Sequence, residues 1–147
     1  MLPTTADRVR VNTSCEINAR IRRETLDRIG YFRGAAPEEL EERLRQLDAE
    51  WDVERAIEAN ASSILLAGVG LGAFVNRKFL VLPGIVAGFL LQHALQGWCP
   101  PIPILRGMGF RTQTEIEEER YALKAIRGDF QLPDRPAPQE VFDATLR

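Results

Sequence analysis

The stretch that decides the fold is Ala59–Asn76, ANASSILLAGVGLGAFVN, together with Phe79–Leu105, FLVLPGIVAGFLLQHALQGWCPPIPIL. Neither segment contains Asp, Glu, Lys or Arg, and only Arg77 and Lys78 separate them. Charged residues make up 27% of the chain, so two adjacent uncharged segments of this length are not chance surface. They predict two membrane-crossing helices joined by a tight basic turn.

The first crossing is predicted from Ile57 to Val75 and the second from Phe79 to Trp98. At the helical rise these segments reach about 28 and 30 Å, which matches the hydrocarbon core of a bilayer. Both contain polar residues, so the insertion of either one alone is only modestly favourable. We therefore expect a transmembrane helical hairpin (residues 57–98) that buries its polar faces against protein.

Each predicted crossing contains one GxxxG pair: Gly68 and Gly72 in the first, Gly84 and Gly88 in the second. Small residues allow helix backbones to approach closely in lipid, where dispersion contacts hold the pair. We expect these glycines to pack the two helices on each other and on a second copy of the chain. The alternative is that they mark no interface, since glycine is common in membrane helices.

The N-terminal flank divides into two segments. Residues 1–36 are basic, with a polar tail over 1–14 and a short helix over 15–32. Residues 37–58 predict an acidic amphipathic helix that begins at Pro37 and continues into the first crossing. A helical seam supports this prediction and comprises Leu40, Leu44, Leu47 and Trp51.

The C-terminal flank begins with Cys99 and three prolines within Pro100–Pro103, which stop the second helix at the interface. In the segment 99–130, a capping-box pattern over 112–115 predicts a helix to Arg127 that Gly128 ends. The acidic run 117–119 is expected to be a solvated face, because consecutive helical residues point in different directions. The proline-rich segment 131–147 predicts an extended tail. The fold class is therefore all-α.

Composition narrows the possible functions. The net charge of -2 provides no basic field for a phosphate backbone, which argues against nucleic-acid binding. The two cysteines, Cys15 and Cys99, are too few for a disulfide framework, and no apolar signal segment precedes Cys15. Phosphate-loop, nucleophile-elbow and zinc-spacing motifs are absent from the sequence, so we expect no enzyme activity, no cofactor and no metal.

The distribution of positive charge predicts the orientation in the membrane. Seven Arg and Lys residues flank the hairpin, against two in its turn: Arg43, Arg45, Arg55, Arg106, Arg111, Arg120 and Lys124, against Arg77 and Lys78. Positive charge near a crossing favours the cytoplasmic side. We therefore expect both termini in the cytoplasm.

Short motifs at both ends of the hairpin carry a family resemblance. Glu54-Arg55 with Asn60 begins the first crossing, and Gly97-Trp98-Cys99-Pro100 follows the second. With these motifs, the segment 54–109 resembles the YgaP-like transmembrane family. The resemblance implies a two-helix module of the bacterial inner membrane, which acts as a dimerising domain or as a conduit for sulfur species or thiocyanate. Some members also carry a cytoplasmic rhodanese domain, which we do not expect in this chain.

Three polar positions near the end of the second crossing are the candidate functional residues. His93 is the only histidine, and intramembrane polar groups usually have a function. Gln96 shares its helix face, so the two residues are expected to make a contact between helices or to line a conduit. Cys99 could be reactive or simply packed. The spacing of six residues places Cys99 on the flank opposite His93, so a contact between them is expected only across a dimer.

Three functions remain open. The first is a non-enzymatic, dimerising scaffold or docking module of the inner membrane that engages the lipid bilayer and a cytoplasmic protein partner. The second is a conduit or relay for small sulfur species or anions that uses His93, Gln96 and Cys99. The third is a soluble helical oligomer in which the apolar hairpin is a buried core.

Overall fold

The computed structural model describes residues 4–130 and 137–146, and within them the secondary structure is helical, with no strand. The chain forms two compact units. The hairpin unit comprises the described residues of Met1–Ile21 together with Trp51–Thr114. The α2–α6 unit comprises Arg22–Glu50 together with the described residues from Glu115 onward.

The α-helices follow one another along the chain with short connections. Two 3-10 turns accompany them, at Arg10–Asn12 and at Arg77–Leu80. The α-helices are α1 (Cys15–Phe32), α2 (Pro37–Ala49), α3 (Val53–Phe74), α4 (Val81–Gln96), α5 (Ile102–Gly107), α6 (Gln113–Arg127) and α7 (Pro138–Leu146).

Helices α3 and α4 form an apolar hairpin in which two helical stretches are long and apolar enough to cross a membrane. The best 18-residue windows of the stretches that end at Phe74 and at Gln96 have mean hydropathies of 1.4 and 1.6. Only 22% and 11% of these windows is buried inside the chain. An apolar core helix would be mostly buried, so the surface of this hairpin is suited to an apolar solvent.

Two glycines of α3 allow the hairpin to close tightly. A Cβ on Gly68 would lie 2.6 Å from ring carbons of Pro83, and a Cβ on Gly72 would lie 2.4 Å from the Leu80 side chain. Pro83 is tolerated in the first turn of α4, because the backbone N–H groups of a first turn have no helical partner. This pair of glycines therefore lies in close contact with the facing side of the hairpin.

The helix predicted over 37–58 is interrupted, because Glu50 and Asp52 have extended backbone angles. Asp52 caps a new helix by accepting a hydrogen bond from the backbone N–H of Arg55 at 2.7 Å. Trp51 lies in this break with 47% of its surface exposed, so it does not continue the leucine seam of α2. The prediction of one continuous helix into the membrane segment was wrong, because an internal N-cap begins a separate helix at Val53.

Part of the N-terminal segment is packed, and the prediction of a polar tail over 1–14 was wrong for Val9 and Thr13, which are buried, whereas residues 4–7 are exposed. Val9 is 2% exposed and joins a core of Val53, Ile57, Cys99 and Ile102. The guanidinium of Arg106 is fully buried and donates to the Thr13 hydroxyl at 3.2 Å. These polar residues are ordered by partners that lie far along the chain, which a local pattern does not reveal.

In the α2–α6 unit, leucines of α2 pack on α6. Leu40, Leu44 and Leu47 form a buried cluster with Ile116 and Leu123. Ile29 and Phe32 of α1 pack against the same cluster.

The prediction that the acidic run 117–119 is a solvated face was wrong for Glu119, whose side chain is fully buried. It lies on the buried face between Ile116 and Leu123, where its charge is met by two arginines. Arg28 Nε donates to it at 3.1 Å and Arg43 Nε at 2.9 Å.

The extended tail predicted over 131–147 is also wrong in part, because Pro138–Leu146 is helical. Proline fits the first position of a helix, and Glu140 caps this one by accepting from the Ala137 N–H at 2.8 Å. The remaining residues of that prediction, 131–136 and 147, lie outside the described residues.

Candidate functional site

The candidate site lies where α4 ends. Gly97 takes the left-handed conformation, with φ of 75°, and its N–H donates to the His93 carbonyl at 2.7 Å. This glycine cap reverses the chain direction and returns Cys99 to the hairpin core, where it is 3% exposed. A Cβ at Gly97 would lie 2.3 Å from the Arg8 carbonyl oxygen, so the position also requires glycine for close packing.

His93 and Cys99 meet within one chain, which corrects the expectation that they meet only across a dimer. The thiol interacts with the imidazole ring. The expectation assumed a continuous helix, in which six residues turn the side chain to the opposite flank. Because α4 stops at Gln96, that rotation does not apply to Cys99.

A chain of three polar residues continues from His93 across the hairpin. His93 Nε2 lies 2.5 Å from Glu54 Oε2, and Arg8 Nη2 lies 3.0 Å from Glu54 Oε1. Arginine remains charged in proteins, which favours the ionised form of the Glu54 carboxyl group. The interhelical hydrogen bond expected for His93 therefore forms with Glu54 of α3, inside the protomer.

The second ring nitrogen of His93 is left without a hydrogen bond. Nδ1 is buried, and no hydrogen bond of ordinary geometry reaches it. His93 as a whole is 5% exposed, so this nitrogen is shielded from bulk solvent. A carboxylate holds this imidazole through Nε2, and the thiol of Cys99 interacts with the same ring. A thiol next to an imidazole that a carboxylate orients is the arrangement in which a base can activate a nucleophile.

A cavity of about 270 Å³ adjoins the thiol, between α3 and α4. Its walls are almost entirely apolar, with Asn60 and Cys99 as the polar side chains. The lining residues Ile85 and Phe89 are 52% and 38% exposed, so this cavity is open at the surface of the hairpin.

The third predicted residue, Gln96, does not join this group. Its side chain is exposed, and only its backbone carbonyl is used, by the Asn12 amide at 2.8 Å. The structure therefore brings together His93 and Cys99 and leaves Gln96 outside.

The four predicted glycines also separate into two kinds. Gly68 and Gly72 are buried within the hairpin. Gly84 and Gly88 are exposed, and a Cβ on either would meet nothing within 4 Å. The second GxxxG pair therefore makes no contact within the chain.

Sequence reasoning missed the roles of Glu54 and Arg8. A signal for Glu54 was present, since an antiparallel hairpin places the first turn of α3 beside the last turn of α4. An acidic residue at one of those ends and the single histidine at the other are natural partners. Arg8 carried no such signal, because its position depends on the packing of the N-terminal segment.

Within residues 4–130 and 137–146, no group of three or more His, Cys, Asp or Glu side chains is placed to hold a metal ion. No protein-family model, curated protein or solved structure matches the chain. The resemblance to the YgaP-like transmembrane family stays a prediction.

Proposed function

We propose that this protein is a non-enzymatic, dimerising scaffold of the bacterial inner membrane. In this proposal α3 and α4 cross the bilayer and both termini lie in the cytoplasm. The exposed apolar surface supports the membrane location: Leu66 is 75% exposed, Phe74 91% and Val75 68%. Contact of these apolar side chains with water has a large free-energy cost, and contact with lipid does not have this cost.

The observation that carries the dimer proposal is the open glycine pair of α4. Gly84 and Gly88 leave a strip of accessible backbone on an exposed helix face. In lipid, such a strip allows close approach of a second helix, and the same strip on a second chain is its natural partner.

An acidic groove in the α2–α6 unit supports the proposed docking role. The groove has a volume of about 360 Å³. Two aromatic and three acidic residues line it together with one arginine and one glutamine: Tyr31, Phe32, Glu38, Glu39, Glu42, Arg43 and Gln46. Apolar rings beside several carboxylates suit a basic peptide with an apolar anchor. A cytoplasmic protein partner would present such a segment.

The dimer is tested by the double variant Gly84→Leu with Gly88→Leu, reconstituted in lipid nanodiscs or bicelles. We expect dimerisation, measured by energy transfer between labelled chains, to weaken at least about tenfold, since tenfold corresponds to about 1.4 kcal/mol. Gly70→Leu is the matched control, because a Cβ at Gly70 also meets nothing within 4 Å. An unchanged dimer in the double variant would contradict the proposed interface.

The topology is tested with a cysteine at the hairpin turn. Phe74→Cys is placed in a chain that lacks Cys15 and Cys99, and intact cells are treated with a thiol reagent that does not cross membranes. We expect labelling from outside at residue 74, and labelling of a cysteine at exposed Glu118 only after the cells are opened. Labelling of Glu118→Cys in intact cells would contradict the orientation, and recovery of the protein in the soluble fraction would favour the soluble oligomer.

The conduit alternative has less support. A conduit through His93, Gln96 and Cys99 requires all three side chains on one interior path, and Gln96 is exposed. The relay alternative is reduced to the pair His93 and Cys99.

A further inference from the structure

We propose that Cys99 is an acyl-acceptor site, in which its thiol takes a long-chain acyl group as a thioester and the chain occupies the cavity between α3 and α4. This inference is independent of dimerisation and of the docking groove. It depends on three features of the hairpin unit: a thiol, an imidazole with an unused nitrogen, and an apolar cavity that adjoins the thiol.

The cavity suits an apolar chain. Six of its lining residues are large aliphatic or aromatic side chains: Ile57, Ile64, Ile85, Val86, Phe89 and Leu90. An apolar cavity of about 150 Å³ holds one benzene molecule, so about 270 Å³ accommodates an apolar group roughly twice as large. A longer chain would leave through the open side and continue along the hairpin surface, where lipid chains lie.

The thiol stands at the polar end of the cavity. Cys99 follows the end of α4 by three residues, which places it at the level where a bilayer meets water in the proposed topology. A cysteine next to a membrane helix is a usual position for reversible acylation. An acyl donor at the interface can therefore present its carbonyl group to the thiol while its chain enters the cavity.

The imidazole provides the base. When the ring is neutral with its proton on Nε2 toward Glu54, Nδ1 carries a lone pair that can take a proton, and no hydrogen bond reaches this nitrogen. Glu54 fixes the ring orientation and stabilises the positive charge that forms when Nδ1 takes a proton. Arg8 holds the other oxygen of Glu54 at 3.0 Å and so keeps that carboxylate in place.

The reaction is a thioester exchange with an acyl thioester as the donor. Cys99 gives its proton to His93 Nδ1, and the thiolate attacks the carbonyl carbon of the donor. A new carbon–sulfur bond forms to Cys99, and the carbon–sulfur bond of the donor breaks. The leaving thiolate takes the proton from His93, so the products are acylated Cys99 and a free thiol, with no oxidation or reduction.

The test uses the full chain in nanodiscs. One sample is incubated with palmitoyl-coenzyme A and a separate sample with acetyl-coenzyme A. Intact mass spectrometry and peptide mapping measure the acylation rate at Cys99 and at Cys15. Cys15 is exposed and outside the cavity, so it is the internal control for unassisted acylation. We expect palmitoylation at Cys99 at least about tenfold faster than at Cys15, removal of the adduct by hydroxylamine, and no such preference with acetyl-coenzyme A.

Two variants separate the cavity from the base. Ala61→Phe adds a ring to the cavity wall and should block palmitoylation of Cys99 while iodoacetamide still reaches the thiol. His93→Gln should slow both palmitoylation and acetylation of Cys99, whereas Ala61→Phe should slow palmitoylation only. Helical content measured by circular dichroism shows that each variant remains folded.

The proposal is overturned by either of two results. One is palmitoylation of Cys15 at a rate equal to or above that of Cys99 in the folded chain. The other is an Ala61→Phe variant that remains folded and accepts palmitate at the original rate, which would show that the chain does not use the cavity.

Discussion

Glu54 and Glu119 are two paired carboxylates that differ in their burial and in the side chains that hold them. The Glu119 side chain is fully buried and meets two arginines. The Glu54 side chain is 26% exposed and meets one arginine and one histidine, whose other nitrogen has no hydrogen bond. A fully neutralised group holds helices together, whereas a group that orients a ring with an open nitrogen is equipped for chemistry.

The largest expected effect is at Glu119, the fully buried carboxylate. Glu119→Gln removes the charge between Arg28 and Arg43 and leaves two guanidiniums facing each other, which should lower the free energy of unfolding by about 3 kcal/mol. Hydrogen exchange of the α2 and α6 backbone amides should accelerate by about 100-fold. Glu118→Gln, an exposed neighbour, is the control and should change these rates little. Equal exchange in both variants would show that the buried pair does not hold the unit together.

The second-largest effect is expected at Gly97, which ends α4 next to the site of Glu54 and His93. Gly97→Ala adds a Cβ at a left-handed φ and against the Arg8 carbonyl, so we expect a loss of about 2 kcal/mol. Gly109→Ala also has positive φ, but no atom lies within 4 Å of its Cβ, so it measures the backbone strain alone. Trp51 and Trp98 both lie in the hairpin unit, and their fluorescence during unfolding in mixed micelles provides the measurement. Equal losses in the two variants would contradict a role for close packing at Gly97.

Removing the charge of Glu54 should lower the free energy of unfolding less than removing the charge of Glu119. Glu54→Gln keeps one oxygen as the acceptor for Arg8 but loses the charge and the second oxygen, which meets His93. Because the group is partly exposed, we expect a loss of about 1 kcal/mol. Glu58→Gln, one turn further along α3 and exposed, is the control. The same tryptophan fluorescence reports both variants. A loss for Glu54→Gln as large as that for Glu119→Gln would remove the distinction between the two carboxylates.

The smallest expected effect comes from Arg28→Lys, which separates the charge of the side chain from its hydrogen-bonding geometry beside Glu119. Arg28→Lys keeps a positive charge beside Glu119 but loses the planar donor that bonds both Glu119 and Thr25. Because Arg28 is 32% exposed, we expect a loss of only about 0.5 kcal/mol, measured by hydrogen exchange of α6. A loss near that of Glu119→Gln would mean that the fork geometry, rather than the charge, holds this site.

Much of the hairpin could be predicted from local sequence. The two uncharged segments and the prolines after Gly97 are local signals, which act through neighbouring residues in the sequence. The structure has apolar helices, α3 and α4, where the two uncharged segments lie. The exposed surface of Gly84 and Gly88 was not predictable in the same way, since both GxxxG pairs look alike in sequence. Only the packing register of α3 on α4 decides which pair is used inside the hairpin.

The candidate site was predictable only in part, because it depends on chain reversals. His93 and Cys99 were recognised as chemical groups, but helix geometry placed them apart, and the left-handed turn at Gly97 brings them together. The pairing of Arg8 with Glu54 joins residues 46 positions apart and has no local pattern. In the α2–α6 unit, the burial of Glu119 depends likewise on arginines from two other helices.

The contacts of the N-terminal segment set an order for biosynthesis. Asn12 bonds the carbonyl of Gln96, 84 positions later, and Thr13 accepts from Arg106, 93 positions later. A growing chain exposes residues 8–13 long before these partners leave the ribosome, so the segment waits while both apolar helices are made. The N-terminal segment can therefore close over the hairpin only after residue 106 has been made, and a nascent chain that stops before residue 96 lacks both partners.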